Sequence, residues 1–313
     1  MSRAPRYAND HDHYEWRPIV DRERLRWPGG ARVALAAIVV LDHLDFLPPE
    51  GSVQPPGQYH RPLPEYWAYT HRQYGLRVGV FRVLEALARH RITPTIALDA
   101  QTAGNCPWLV RHCVARGFEV MGHGIAASRM ITSRMTEAEE RRYIRESLDA
   151  VASAAGTRPQ GWLGPEGGES ARTPGLLAEE GVRYVCDWAN DEQPYPMRTP
   201  AGELFALPLV LDLDDEFALR DRRFPVDGYL RTVKQAFDRI YRDSAKSGRL
   251  FVLTIHPYLM GQPFRARFLD DALRHLRRRK RVWSASASDI VEWFAKSTAV
   301  PGSRSSDRRA GRE

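Results

Sequence analysis

Cysteine is scarce in this 313-residue chain, with Cys106, Cys113 and Cys186 the three present. An odd count, with no secretory leader readable in MSRAPRYANDHDHYEW, argues against a disulfide framework. No Cys-x-x-Cys pair or Cys/His zinc spacing occurs, which argues against thiolate metal chemistry. Long apolar runs are missing too. The longest, Val33 to Leu41, is about half of the roughly 20 residues a membrane helix needs, so no membrane partner is expected and the chain is assigned to the cytoplasm. Dispersed positive charge is also absent. The formal net charge is +7, but Arg277 to Arg281 and the tail after Val300 account for all of it, leaving the body neutral by count. A basic run suits the negative pole of a helix end, and no recognition motif or aromatic platform accompanies it, so no nucleic-acid partner is expected.

What is present is a globular composition, 43% hydrophobic and 27% charged, in short apolar runs that alternate with helical patterns. That alternation marks βαβ units and a parallel sheet. Ala31 to Leu41 is nearly continuous apolar residues and reads as a strand covered on both faces. A polar loop follows from Asp45 to about Tyr74. Further strands are read at 93–98, 118–121, 160–163, 183–186, 204–211, 250–255 and 281–284. Helices are read at 78–89, 107–116, 136–155, 173–180, 228–247, 263–279 and 287–296. The helix from Thr136 is the best supported, since Thr136 and Glu139 form a capping box ahead of an apolar face. The count suits a distorted (β/α) barrel in a single domain over residues 26–299, after an N-terminal arm (1–25) and before a disordered tail (300–313).

Ligands in parallel α/β folds bind at the carboxyl ends of the strands, so polar residues directly after apolar runs are the candidates. Asp42 and His43 follow the first strand, His123 follows Phe118 to Met121, Asp187 and Trp188 follow Arg183 to Cys186, and His256 follows Leu250 to Ile255. Imidazoles titrate near neutrality and serve as acid, base or metal ligand, while Asp42 can accept a proton. Amide hydrolysis needs such a set: water loses a proton, an oxyanion is stabilised, and the leaving nitrogen gains a proton. Glu166, in the glycine-rich turn GPEGGES, either meets substrate or merely completes the turn. Trp162, Trp188, Tyr195 and Tyr258 either wall a pocket or sit in the core. Asp191 and Glu192 are candidate contacts to N–H groups, and Arg77 to a carboxylate or carbonyl, with a surface position as the plain alternative for Arg77. The pair His11 and His13 reads as solvated.

At these residues the sequence resembles the polysaccharide-deacetylase superfamily, and within it the allantoinase-like and cyclic-imidase-like hydrolases. The segments that carry the likeness are WPGGARVALAAIVVLDH, QYGLRVGVFRVLEAL, GFEVMGHG, GTRPQGWLGPEGGESARTPGLLAEEGVRYVCDWANDEQPY and IHPYLMGQPFRARFLDDAL with RVWSASASDIVEWF. The resemblance implies a distorted (β/α) barrel and a homo-oligomer. It implies a catalytic aspartate at Asp42 beside a metal position held by His43, and a general acid at His256. It also implies two metal-binding histidines four apart, of which His123 matches the first while Ala127 stands at the second. The metal set is therefore reduced to His43 and His123, so the site is expected to hold either no cofactor or one divalent metal such as Zn; metal-independent members occur in the allantoinase-like subgroup.

The function expected is hydrolysis of a C–N amide bond in a small-molecule ureide, imide or N-acyl compound, with Asp42, His123 and His256 as catalytic residues. Two alternatives stay open: metal-dependent deacetylation of an N-acetylated sugar or peptidoglycan, and an inactive binding protein.

Overall fold

Every residue of strand β1, Val33–Leu41, is buried, as a strand covered on both faces requires. Its side chains alternate between two cores. Val33, Leu35, Val39 and Leu41 pack on an outer layer with Val80, Leu87 and Phe237, while Ala34, Ala36, Ile38 and Val40 face an inner cluster with Met121, Tyr184 and Leu250. The computed structural model describes residues 11–50, 52 and 62–298, so the tail expected over 300–313 lies outside them.

The remaining strands are β2 (Pro94–Leu98), β3 (Glu119–Gly122), β4 (Gly161–Trp162), β5 (Tyr184–Val185), β6 (Tyr195–Met197), β7 (Leu204–Ala206), β8 (Arg249–Ile255) and β9 (Val282–Ser284). They lie in the order β6-β7-β5-β4-β3-β2-β1-β8, with β9 beside the start of β1, and all pairs are parallel except β6 with β7. The expected distorted barrel is thus present as a curled half-barrel. It does not close: among the described residues no pairing joins β8 to β6.

Register explains how distant residues converge. Leu41 pairs with Leu98, Leu98 with Gly122, Gly122 with Trp162, and Trp162 with Val185. On the other side of β1, Val39 pairs with Ile255. The residues just past these pairs, Asp42, Asp99, His123, Asp187 and His256, therefore share the carboxyl edge of one sheet.

Several elements depart from the sequence reading, the short helices Ala100–Asn105 and Pro257–Met260 among them. The expected loop up to Tyr74 contains a helix, Tyr66–Tyr74, which runs through a π-type turn at Gly75–Gly79 into the helix Val80–Arg89. YWAYTHRQY has no apolar stripe, so periodicity could not reveal it. The strand read over 204–211 stops at Ala206, two residues before Pro208, which has no N–H for a ladder. The short edge strand β6, containing Pro196, was not anticipated.

The helix Glu137–Ala155 has its capping box, with the Glu139 N–H donating to Thr136 Oγ1 at 3.3 Å and the Thr136 N–H to Glu139 Oε2 at 2.8 Å. Gly156 ends it at φ 79°. Gly79 carries another burden. A Cβ there would stand 2.1 Å from the Pro257 carbonyl oxygen, a backbone atom one residue past His256. Gly79→Ala is expected to destabilise the protein by about 1–3 kcal/mol through overpacking, and to reduce activity by displacing His256. Thermal unfolding checks this; an unchanged midpoint would show that the contact relaxes freely.

Candidate active site

Asp42, at the end of β1, is 5% exposed and ion-paired to Nη1 of Arg72, itself 6% exposed. The other arm of the same guanidinium, Nη2, meets Glu216 Oε1 at 2.5 Å. Glu216 also accepts from Tyr258 Oη at 2.5 Å and pairs with Arg220. The Arg72 guanidinium carbon stands 4.5 Å from the centre of the Tyr258 ring. Burial alone would weaken the protonation of Arg72, but Asp42 and then Glu216 outweigh it and hold the group charged. Burial would likewise raise the carboxyl of Glu216, yet Arg72, Arg220 and His256 drive it well below the ordinary range. Such groups tolerate burial only because each is paired, and removing one partner of a buried pair typically costs about 3–5 kcal/mol.

His256 follows β8 and is 5% exposed. Its Nδ1 lies 2.6 Å from Asp215 Oδ1, and its backbone N–H donates to the same carboxylate at 2.9 and 3.0 Å. Its Nε2 lies 3.0 Å from Glu216 Oε2. Burial opposes charging of the ring, but Glu216, Asp214 and Asp215 together outweigh it, so its pKa is raised well above 6.5. A group raised in the folded state stabilises fully below its unfolded value and loses that contribution as pH rises through the folded value. The ring also stays charged through neutrality, so loss of the proton it supplies is expected to show on the alkaline side. A pH–rate profile checks this, and a decline centred near 6.5 would contradict it.

His123 is the opposite case. It lies just beyond β3, 5% exposed, with Nδ1 donating to the Leu163 carbonyl at 2.6 Å. Burial lowers its pKa and prevails over the nearby Asp42, so the ring is neutral. Because a carbonyl only accepts, the ring proton sits on Nδ1 and Nε2 is an acceptor. That suits holding an attacking water; it does not suit donation to an oxyanion. Asp99, fully buried at the end of β2, was missed by sequence reading. It accepts the His43 N–H at 2.5 Å and caps the helix Ala100–Asn105 through Thr102 N–H at 2.6 Å, fixing the backbone beside Asp42.

These residues meet at a cavity of about 140 Å³ lined by Asp42, His123, Ala127, Glu166, Asp187, Asp214, Glu216, Arg220 and His256, among others. Glu166 sits in the 3₁₀ turn Pro165–Gly167 at φ 55°, a conformation costly for a residue with a side chain, and faces Arg220 at 3.1 Å. Burial and then Glu216 raise its carboxyl to about 7. Asp187 accepts the Gly164 N–H at 2.8 Å and lies near Glu169; burial raises both carboxyls.

Eight expected site residues lie off the cavity lining, Tyr258 among them. His43 is half-buried, its ring 6.0 Å from that of Tyr69. Trp162 is fully buried in the core between β3 and β5. Trp188 packs edge-on against His11, His13 and Tyr14, and its Nε1 donates to Glu169 at 3.0 Å; His11 is exposed, as read, while His13 is half-buried. Asp191 pairs with Arg22, and Tyr195 donates to Asn190 Oδ1 at 2.7 Å; both line a separate groove with Tyr14 and Arg17. Glu192 pairs with Arg249 at 3.0 Å. Arg77 is exposed; the buried arginine of that segment is Arg72, five positions earlier. The acidic run Asp214, Asp215 and Glu216 was also missed. Four carboxyls inside the apolar stretch LPLVLDLDDEFAL, Asp212 and these three, are the signal, since such a run is buried only with cations to pair it.

The residues at the expected metal position do not form a metal site. Ala127 lines the cavity without a donor atom, His43 is off the lining, and His123 alone offers a nitrogen there. Among the described residues one other cluster of ligand-type side chains occurs, Asp214, Asp215 and His256, but Asp215 and His256 Nδ1 are already bonded to each other.

Residues 73–185 match the family model described as polysaccharide deacetylase. The solved structure of PuuE allantoinase is 28% identical, with TM-score 0.78, over 93% of this chain and 98% of that one. That of a probable polysaccharide deacetylase from Pseudomonas aeruginosa PAO1 is 26% identical, with TM-score 0.77, over 89% and 96%. A curated relative from Schizosaccharomyces pombe, provisionally named a polysaccharide deacetylase, is 24% identical over 86% of this chain and 92% of its own length. The superfamily and the allantoinase-like subgroup read from the sequence agree with these matches. No helix among the described residues is long and apolar enough to cross a membrane.

Proposed function

For a chain that carries a polysaccharide-deacetylase domain on a curled half-barrel, we propose hydrolysis of a C–N amide bond in a small ureide, imide or N-acyl compound. The observation that carries this reading is the meeting of Asp42, neutral His123 and charged His256 at one small cavity. Asp42 takes the proton of a water held by His123 Nε2. The oxygen of that water adds to the carbonyl carbon, the tetrahedral adduct collapses with cleavage of the C–N bond, and the His256–Glu216 pair delivers a proton to the departing nitrogen. Arg220, the guanidinium on the cavity lining, faces the developing oxyanion.

The small size of the cavity, about 140 Å³, favours a small molecule over a glycan chain. The names of two relatives favour deacetylation of an N-acetylated sugar. A single panel separates the readings: cyclic ureides, cyclic imides, linear N-acyl amides and N-acetylglucosamine oligomers, each with and without chelator. Turnover of the first three classes, insensitive to chelator, is the expected result. Acetate release from the oligomers alone, abolished by chelator, would replace this reading with the second.

A further inference from the structure

We propose that Arg72 is the positioning residue of this site: its guanidinium, bridging Asp42 and Glu216, provides the fixed positive charge that a divalent cation provides where the superfamily's ligand set is complete. Arg72 is not on the cavity lining, so it acts through the two carboxylates that are. One arm holds Asp42 and the other holds Glu216, whose second oxygen meets His256 Nε2 at 3.0 Å. A single planar group thus ties the proton acceptor to the proton donor. A fork can do this and a point charge cannot, because lysine has no second arm at a fixed angle.

The local fold is built to deliver it. Arg72 lies in the last turn of the helix Tyr66–Tyr74, and the π-type turn after it begins at Gly75, where a Cβ would stand 2.7 Å from the Tyr258 backbone nitrogen. That close approach places the guanidinium carbon over the Tyr258 ring. Cations for the buried carboxylates come from the chain itself. Asp42, Asp215 and Glu216 face Arg72, Arg220 and His256. A divalent ion at liganding distance from Asp42 would stand beside a desolvated guanidinium, where repulsion is strong.

The test has a kinetic arm, which rests on the hydrolase reading, and a binding arm, which does not. In the kinetic arm, Arg72→Ala is expected to lose about 10²–10³-fold in kcat with KM changed by less than about threefold. Guanidinium ion at about 50 mM is expected to restore at least about tenfold of that loss, while Arg72→Lys stays impaired. Should Arg72→Ala fail to fold, Arg72→Ala/Glu216→Gln removes one of the two carboxylates that Arg72 paired and is compared with Glu216→Gln with and without guanidinium. Unchanged kcat in a folded Arg72 variant, or a loss that guanidinium leaves untouched, overturns the proposal. In the binding arm, wild-type protein incubated with excess zinc and dialysed is expected to retain less than about 0.1 equivalent and to melt at an unchanged temperature, since a bound ion would raise it. Stoichiometric zinc overturns the proposal whether or not a substrate is found; absence of turnover together with absence of zinc retires the hydrolase reading alone.

Discussion

Asp42→Asn is expected to lower kcat by about 10³-fold, within the range that positioned acid–base groups contribute, while leaving the fold intact. The amide has the shape of the carboxylate and its oxygen still accepts from Arg72, so the geometry survives. It cannot take a proton from water. His123 is a poor replacement, because its Nδ1 already donates to Leu163 and burial disfavours the charged ring that taking a proton would create. The check is kcat together with a melting curve for the purified variant. Near-normal turnover would remove Asp42 from the reaction and leave no carboxylate at the end of β1 to activate water.

His256→Gln should lose about 10²–10⁴-fold, with a dependence on the leaving group that Asp42→Asn lacks. An alkylamine departs only when protonated, whereas a nitroaniline departs unaided. The loss should therefore be large for an alkyl amide and small for an activated anilide of the same acid. Comparing the two substrates on one variant separates proton delivery from general damage, since a misfolded site would lose both equally. Equal losses would assign His256 to structure. The strong binding of this ring, through Asp215 on one nitrogen and Glu216 on the other, makes structural damage the specific alternative that this comparison addresses.

The catalytic edge was legible because strand ends announce themselves. An apolar run that stops at a charged residue marks both the strand and the place where its chain turns toward a ligand, and Asp42, His123 and His256 were all found that way. Glu166 and Asp187 also reach the cavity. The wall was less legible. Trp162, Trp188 and Tyr195 follow the same sequence logic but point elsewhere, because a two-residue strand such as β4 or β5 gives no alternation from which to read the facing side. Arg72 stayed hidden for a different reason. It lies on a polar, aromatic helix whose position depends on Tyr258, a contact across 186 positions of chain. Arg77, whose plain reading is a surface position, is in the π-type turn and exposed. The half-barrel rather than a closed barrel follows from pairing at β6 and β8, which no local pattern encodes.

The central claim is that Asp42 and His256 act from one cavity to add water across a C–N bond. Its most direct test is mass spectrometry of products formed in ¹⁸O-water from the ureide, imide and N-acyl panel. One labelled oxygen in the new carboxyl group per bond cleaved by wild-type protein, and none above background with Asp42→Asn or His256→Gln, is the expected result. Equal label uptake by wild-type and variant proteins, or none with any compound, would contradict it.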